Sequence, residues 1–335
     1  MEHRAFGKTG LRVSVLGFGC GNVGGLMIRG AAAEQERAVA RAVELGIDYF
    51  DTAPSYGDGE SERNLGRVLR VLGVPAHVGT KFRVDFPDLA SLRDVPGAVA
   101  RSLEASLHRL GMERVDLLQL HNLIARERRD GFLGVRDVLD AVVPALERLR
   151  EQGKIRFYGI TALGETPAVH QMIDAGVLDT AQVCYNLLNP SAGVLVPPGF
   201  PAQDFDRLLS HTRAQGMGVM VIRVLAAGAL SGVAARHPTA VPAVAPIASG
   251  PDYATDVRRA QALVALIREG HAESLVEASL RFALSSDAVS TVLLGYSSLE
   301  HLEHAVASVT KGPLSAAALD RLATLWRDLA RSGPA

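Results

Sequence analysis

The sequence predicts an α/β chain folded as a parallel (β/α)8 barrel of the TIM type, and three observations carry that reading. A short, continuously apolar run recurs about eight times along the 335 residues, as strands buried on both faces require. Each run is followed by a longer amphipathic stretch, the alternation that forces neighbouring strands to be parallel. The segment Gly17-Phe-Gly-Cys-Gly21 lacks a third glycine at position 22, which is Asn22. That omission counts against an open doubly wound sheet with a glycine-rich first turn.

In chain order, the predicted strands are 13–18, 47–51, 77–81, 115–121, 155–160, 181–185, 218–222 and 289–294. Predicted helices fall between them. The helix over 33–45 ends at Gly46. The helix over 61–71 has apolar positions at 65, 68, 69 and 72. The helices over 96–110, 135–151, 166–175 and 204–214 stop at or near Gly111, Gly153, Gly176 and Gly216. Glycine just past a helix accepts the left-handed conformation cheaply. Segments 189–202 (Pro/Gly-rich) and 233–256 (Ala/Pro-rich) exceed a minimal repeat, and both leave the carboxyl ends of strands, where a barrel builds its site. Helices over 299–309 and 315–331 complete the chain, which reads as one domain, 1–335, with no linker.

Composition narrows the function. The chain is 48% hydrophobic and 21% charged, with a net charge of −1, so nothing draws it in bulk to nucleic acid or an anionic membrane. The strongest apolar stretch, 217–230, is interrupted by Arg223, and the first ten residues lack the apolar core of a signal peptide. Two cysteines, Cys20 and Cys184, make no disulfide framework. The expectation is a cytoplasmic protein that acts on a small molecule, with its oligomeric state open.

Four reactive side chains stand at or just beyond predicted strand ends: Asp51, Tyr56, Lys81 and His121. Neighbouring strands lie about 5 Å apart and open on one face, so these groups can converge. Reducing a carbonyl by hydride leaves an alkoxide that needs a proton. A free phenol, with a pKa of about 10, gives its proton up poorly at neutral pH. An adjacent ammonium favours the phenolate, and a buried ammonium needs a carboxylate counter-ion. Tyr56, Lys81 and Asp51 fit those roles in turn. His121 can hydrogen-bond the carbonyl oxygen. In the reverse direction the phenolate is the base for alcohol oxidation.

These residues sit in stretches that resemble the aldo-keto reductase superfamily from end to end. Arg4-Ala-Phe-Gly-Lys-Thr-Gly-Leu-Arg-Val-Ser14 resembles its N-terminal hairpin cap. Phe50-Asp-Thr-Ala-Pro-Ser-Tyr-Gly57, then Ser61-Glu62 and Leu65-Gly66, is close to its signature. The resemblance implies a tetrad of Asp51, Tyr56, Lys81 and His121, and NADP or NAD as cofactor with no metal. Its cofactor contacts would be Gly19, Cys20, Gly21 and Asp51, with Thr161 after strand five and Gln182 on strand six. After strand seven come Ile222, Arg223, Leu225 and Gly228, and after strand eight Gly295, Ser297 and His301. The chain departs from the family pattern in several places. Thr161-Ala162 stands for a Ser-Asn pair, and Ile222-Arg223-Val224-Leu225 stands where a stacking tyrosine is usual. Arg223 then becomes a candidate for the pyrophosphate. Positions 297 and 301 lack the fixed cations that hold a 2′-phosphate, which leaves NAD as well as NADP open, as in the bacterial sugar dehydrogenases that the 17–25 segment also resembles. By the same analogy, the 233–256 loop folds over the cofactor.

Each residue also has a plainer reading. Asp51 alone could be a turn cap, Lys81 a snorkelling surface residue, His121 a structural histidine and Tyr56 a packing residue. Gln182 could satisfy backbone inside the barrel, and Arg223 could pair with an acid. His301 and His304 have a spacing compatible with a metal, but a solvated helix face explains them better. Arg126–Asp130 reads as a solvated loop and the two cysteines as buried small hydrophobes. Two other functions fit less well: a non-enzymatic NAD(P)-binding redox sensor of the same fold, and a metal-dependent barrel enzyme using Asp51 and His121 as ligands.

Overall fold

The computed structural model describes residues 1–84 and 94–331. Eight strands close into a barrel: β1 (Leu16–Gly19), β2 (Tyr49–Asp51), β3 (His77–Phe82), β4 (Val115–Leu120), β5 (Ile155–Thr161), β6 (Thr180–Cys184), β7 (Gly218–Ile222) and β8 (Thr291–Gly295). Each strand pairs in parallel with the next, and β8 closes on β1. Their carboxyl ends therefore form one rim. In register, Gly19 lies beside Asp51, Lys81 beside Gln119, and Thr161 beside Gln182. The strands are buried at almost every position, so their sequence shows a continuous apolar run rather than an alternation.

The predicted run 13–18 is in fact two strands. Arg12–Ser14 pairs antiparallel with His3–Ala5 in a hairpin, and β1 starts after Val15. Ser14 makes the break: its N–H donates to Asp48 Oδ1 at 2.8 Å and its hydroxyl to the Leu16 carbonyl at 2.8 Å. The hairpin seals the amino-terminal end of the barrel. Phe6 and Val13 pack there against Tyr49, Leu117, Met220 and Leu293. The Arg4 guanidinium ties it down through the carbonyls of Leu284, Ser286 and Val289, at 3.1, 3.3 and 3.1 Å.

The helices form the outer ring. Ala32–Glu44, Glu60–Leu72, Val95–Leu110, Thr166–Asp174, Leu299–Thr310 and Ala316–Arg331 follow the predicted spans closely. Glu60–Leu72 crosses Val95–Leu110 at Gly66, where a Cβ would stand 2.0 Å from the Leu110 carbonyl oxygen; only glycine permits that approach. Three spans differ from expectation. Residues 135–151 hold a π-helical turn over Val138–Val142, because Pro144 has no N–H to complete the regular ladder. The helix predicted over 204–214 starts only at Leu208, after two left-handed residues, Asp206 and Arg207. The irregular segment after β7 stops short of 256. Asp252 caps the Thr255 N–H at 2.7 Å and starts the helix Tyr253–Ala262. Two further unpredicted helices, Ala265–Arg268 and Leu275–Leu284, lead into β8. Residues 189–202 carry neither strand nor helix. No described helix is long and apolar enough to cross a membrane.

Candidate functional site

The four predicted catalytic side chains meet at the carboxyl-terminal rim. Asp51 ends β2, Lys81 is the penultimate residue of β3, and His121 follows β4, its N–H on the Phe82 carbonyl at 2.9 Å. Tyr56 reaches in from the turn between β2 and the helix Glu60–Leu72. That turn is held on several sides. The Tyr56 carbonyl accepts from Ser61 N–H at 3.2 Å, and the Asn22 side-chain oxygen accepts from Gly57 N–H at 3.1 Å. The Ser61 hydroxyl donates to the Cys20 carbonyl at 2.9 Å and lies 2.7 Å from the Thr52 hydroxyl. Glu62 is fully buried between Thr80 Oγ1 and Arg109 Nε, each at 2.6 Å, and anchors the helix start to β3.

Lys81 and Asp51 form a buried ion pair, 1% and 4% exposed. The Lys81 ammonium also donates to the Thr52 carbonyl at 2.8 Å. It lies 4.7 Å from the centre of the Tyr56 ring. The Tyr56 and His121 rings meet edge to face at 6.2 Å. Burial alone would lower the Lys81 pKa, but the Asp51 carboxylate and Tyr56 beside it more than offset this and raise it. Burial raises Asp51 against the opposing pull of Lys81 and Gln182. We take the pair as carboxylate and ammonium at neutral pH, because each charge supplies the other's missing solvation. His121 is pushed down to about 3, by burial first and then by the Lys81 and Arg83 cations, so its ring is neutral at ordinary pH.

The predicted cofactor residues lie on the same rim. Gly19, Cys20 and Gly21 leave β1 toward Tyr56. A Cβ on Gly21 would touch that ring at 3.4 Å, so glycine keeps the flank of the tyrosine open. Gly295 ends β8 opposite Gly19. The Ser297 hydroxyl is turned inward onto the Gly24 carbonyl at 2.7 Å. His301, exposed on its helix, packs edge to face on His237 at 5.5 Å. Ile222 ends β7, and Leu225 and Gly228 follow in a turn in which Gly228 has a φ of 106°. Arg223 is left-handed, with a φ of 57°, and donates to the Ala245 carbonyl at 3.2 Å rather than to an acid. Burial holds its pKa below the usual arginine value. Thr161 and Gln182 do not serve the backbone. The Thr161 hydroxyl donates to Gln182 Oε1 at 3.3 Å, and Gln182 Nε2 donates to Asp51 Oδ2 at 2.7 Å. Both cysteines are buried, and burial pushes the Cys184 thiol up to about 12 and the Cys20 thiol higher still.

Several side chains at the rim had escaped the sequence reading. Asn186 donates from Nδ2 to the Arg223 carbonyl at 2.8 Å and steadies its left-handed backbone. Arg236 donates to the carbonyls of Val241, Ala227 and Val23 at 2.6, 2.7 and 3.3 Å. Arg29 reaches Thr239 O and Asn22 O, both at 2.8 Å. Together these two arginines lace the segment after β7 to the segment after β1. Their targets are backbone carbonyls, which leave no pattern in a sequence. Residues 126–130 are exposed, as expected, although Arg129 pairs with Glu165 and Arg128 with Asp137. Among the described residues, no group of three or more His, Cys, Asp or Glu is arranged to hold a metal.

Comparison with known proteins agrees with this fold. L-galactose dehydrogenase of Arabidopsis thaliana is 29% identical over 322 residues, covering 93% of this chain and 89% of its own. Pyridoxal 4-dehydrogenase of Microbacterium luteolum is 27% identical over 335 residues, covering 91% and 92%. Among solved structures, a Bacillus halodurans aldo-keto reductase in its holo form superposes with a TM-score of 0.70 at 24% identity, covering 98% of this chain and 96% of its own. The sequence profile of the Aldo/keto reductase family matches residues 15–327, and the chain therefore belongs to that family.

Proposed function

We propose that the protein is an NAD(P)-dependent oxidoreductase that interconverts aldehydes, ketones or sugars with alcohols, with Tyr56 as general acid and base. The observation that carries this reading is the Lys81 ammonium, neutralised by Asp51 and lying 4.7 Å from the Tyr56 ring centre. The residues present fit a nicotinamide nucleotide. Gly21 leaves the tyrosine's flank clear, and a Cβ on Gly24 would stand 2.5 Å from the Gly295 backbone, so the segment after β1 packs main chain against main chain on the end of β8. Gly19, Cys20, Gly21, Ile222, Arg223, Leu225, Gly228, Gly295, Ser297 and His301 would border the bound nucleotide.

The bound cofactor supplies or accepts the hydride. In reduction, the Tyr56 hydroxyl gives its proton to the substrate oxygen as negative charge gathers there. Lys81 stabilises the phenolate left behind. Asp51 keeps Lys81 charged in a buried setting. His121, neutral at working pH, donates a hydrogen bond to the same oxygen and orients the carbonyl. In oxidation the phenolate removes the proton.

The test is nicotinamide absorbance over a panel of aldehydes and sugars, with NAD and NADP in parallel, for the natural chain and Tyr56→Phe. The expected result is steady turnover that falls by about 10²- to 10⁴-fold in the variant. Equal turnover in the two proteins, or tight nucleotide binding with no turnover in either, would refute it.

A further inference from the structure

A groove of about 910 Å³ opens in the outer ring, between the helix Leu275–Leu284, the last helix Ala316–Arg331 and residues 193–197 of the segment after β6. None of the residues assigned to the candidate site lines it. Its floor is aromatic: the Phe282 ring stands 4.7 Å from that of Tyr185 and 5.6 Å from that of Trp326, centre to centre. Val194, Val196 and Leu319 wall it. Leu195 at its lip is 73% exposed, more than any other large apolar side chain among the described residues. The space suits a small organic molecule.

Tyr185 gives this apolar groove a directed polar group. The residue is 3% exposed, yet among the described residues none partners its hydroxyl, and burial alone pushes its pKa up. Trp326 beside it shows the ordinary arrangement, with Nε1 donating to the Leu187 carbonyl at 2.9 Å. The Tyr49 and Tyr296 hydroxyls also lack partners, but they are sealed from solvent, whereas the Tyr185 hydroxyl keeps contact with the groove. Gly193 leaves it uncovered: a Cβ there would stand 2.8 Å from the hydroxyl oxygen and from the ring carbon that bears it. Charge at the edge cancels. Asp287 is paired with Arg213 at 2.8 Å, and Asp320 and Arg327 carry opposite signs on one helix. The lining therefore selects no ion. What it favours is a neutral molecule, flat enough to lie on the rings, with an oxygen that accepts from the phenol.

We propose that this groove is an accessory site for a neutral, planar aromatic molecule carrying an acceptor oxygen, with Tyr185 as the hydrogen-bond donor that orients it.

Trp326 is the chain's only tryptophan and lies in the floor, so its emission reports on the groove. The probe is prodan, a neutral dimethylaminonaphthalene ketone that absorbs where tryptophan emits. It is titrated into the natural chain, Tyr185→Phe and Gly193→Ala, without nucleotide and with saturating NAD or NADP. The parent dimethylaminonaphthalene, which lacks the carbonyl, is the control ligand. Binding is expected to transfer energy from Trp326 to the probe, with or without nucleotide. Tyr185→Phe weakens the ketone by about 3- to 10-fold and leaves the control ligand within about twofold, because one neutral hydrogen bond is lost. Gly193→Ala, whose methyl crowds the hydroxyl, weakens the ketone likewise. The thermal midpoint of Tyr185→Phe is not lowered, since the hydroxyl has no protein partner to lose. A lowered midpoint would show that hydroxyl bonded within the protein and would overturn the proposal. So would equal ketone affinity in Tyr185→Phe and the natural chain, no binding to the natural chain, binding without energy transfer from Trp326, or displacement by nucleotide, which would put the probe at the rim. If Tyr185→Phe does not fold, Gly193→Ala decides on the same binding readouts. None of these requires turnover, so the outcome is independent of the role given to Tyr56.

Discussion

Replacing Lys81 by Met removes the ammonium but keeps most of the side chain's length. It leaves the Asp51 carboxylate 4% exposed with Gln182 as its remaining side-chain donor. Breaking a buried pair from one side costs about 3–5 kcal/mol, a large part of the 5–15 kcal/mol that holds a domain folded. Adding Asp51→Asn to that variant removes the stranded charge. The double variant is therefore expected to recover much of the loss, with an interaction energy of about 1–3 kcal/mol in the cycle. The pH dependence has a definite sign. Without Lys81 the folded-state pKa of Asp51, already raised by burial, stands further above its unfolded value. The protonated acid is then the form the fold tolerates, so the deficit of Lys81→Met is smallest below about pH 4 and grows as pH rises through the folded value. Denaturant unfolding of the four proteins at pH 4 and pH 7 measures all of this. Losses that add to within about 0.5 kcal/mol, or a deficit independent of pH, would refute the account of the pair as mutually dependent charges.

Three other outcomes follow from features of the same structure. The His121 ring stays neutral down to about pH 3, so NMR of the ring shows no titration near 6.5, and stability falls as pH drops from 6.5 toward 3. His121→Asn flattens that fall; an unfolding series that is equally steep in both proteins contradicts it. Gly66→Ala drives a methyl against the Leu110 carbonyl at 2.0 Å and lowers stability by about 1–3 kcal/mol, read from the thermal midpoint. Arg236→Ala frees the Val23, Ala227 and Val241 carbonyls, so amide exchange over 233–250 speeds up while the barrel strands keep their protection; uniform exchange across the chain contradicts it.

The barrel was legible because its strands are buried on both faces and its helices stop at glycines, two signals that survive without any tertiary information. The convergence of Asp51, Lys81 and His121 was legible because they mark consecutive strand ends, and strand order alone brings those together. Leu275–Leu284 escaped notice for the opposite reason. Eight of its ten residues are buried, Glu277 and Ser279 among them, so its polar positions do not mark an exposed face. Its capping signature, Ser274-Leu-Val-Glu277, was there to be read: Ser274 Oγ accepts from Glu277 N–H at 3.1 Å. The hairpin strand and β1 merged into one run because the break lies in the side chains of Ser14 and Asp48, which hydropathy does not see. The bond from Gln182 to Asp51 was out of reach for a different reason. Its two ends lie 131 residues apart across the barrel, and no local pattern encodes a bond of that span.

The hairpin at the foot of the barrel has a consequence for traffic. Phe6 and Val13 lie over an apolar layer of Tyr49, Leu117, Met220 and Leu293, and this plug closes the lower end beneath Asp51 and Lys81. Among the described residues that end is packed shut, which leaves the upper rim as the side open to water and protons. Whatever lies across that rim cuts the ion pair off from bulk solvent, so a proton given up while the rim is covered is replaced only after it has cleared.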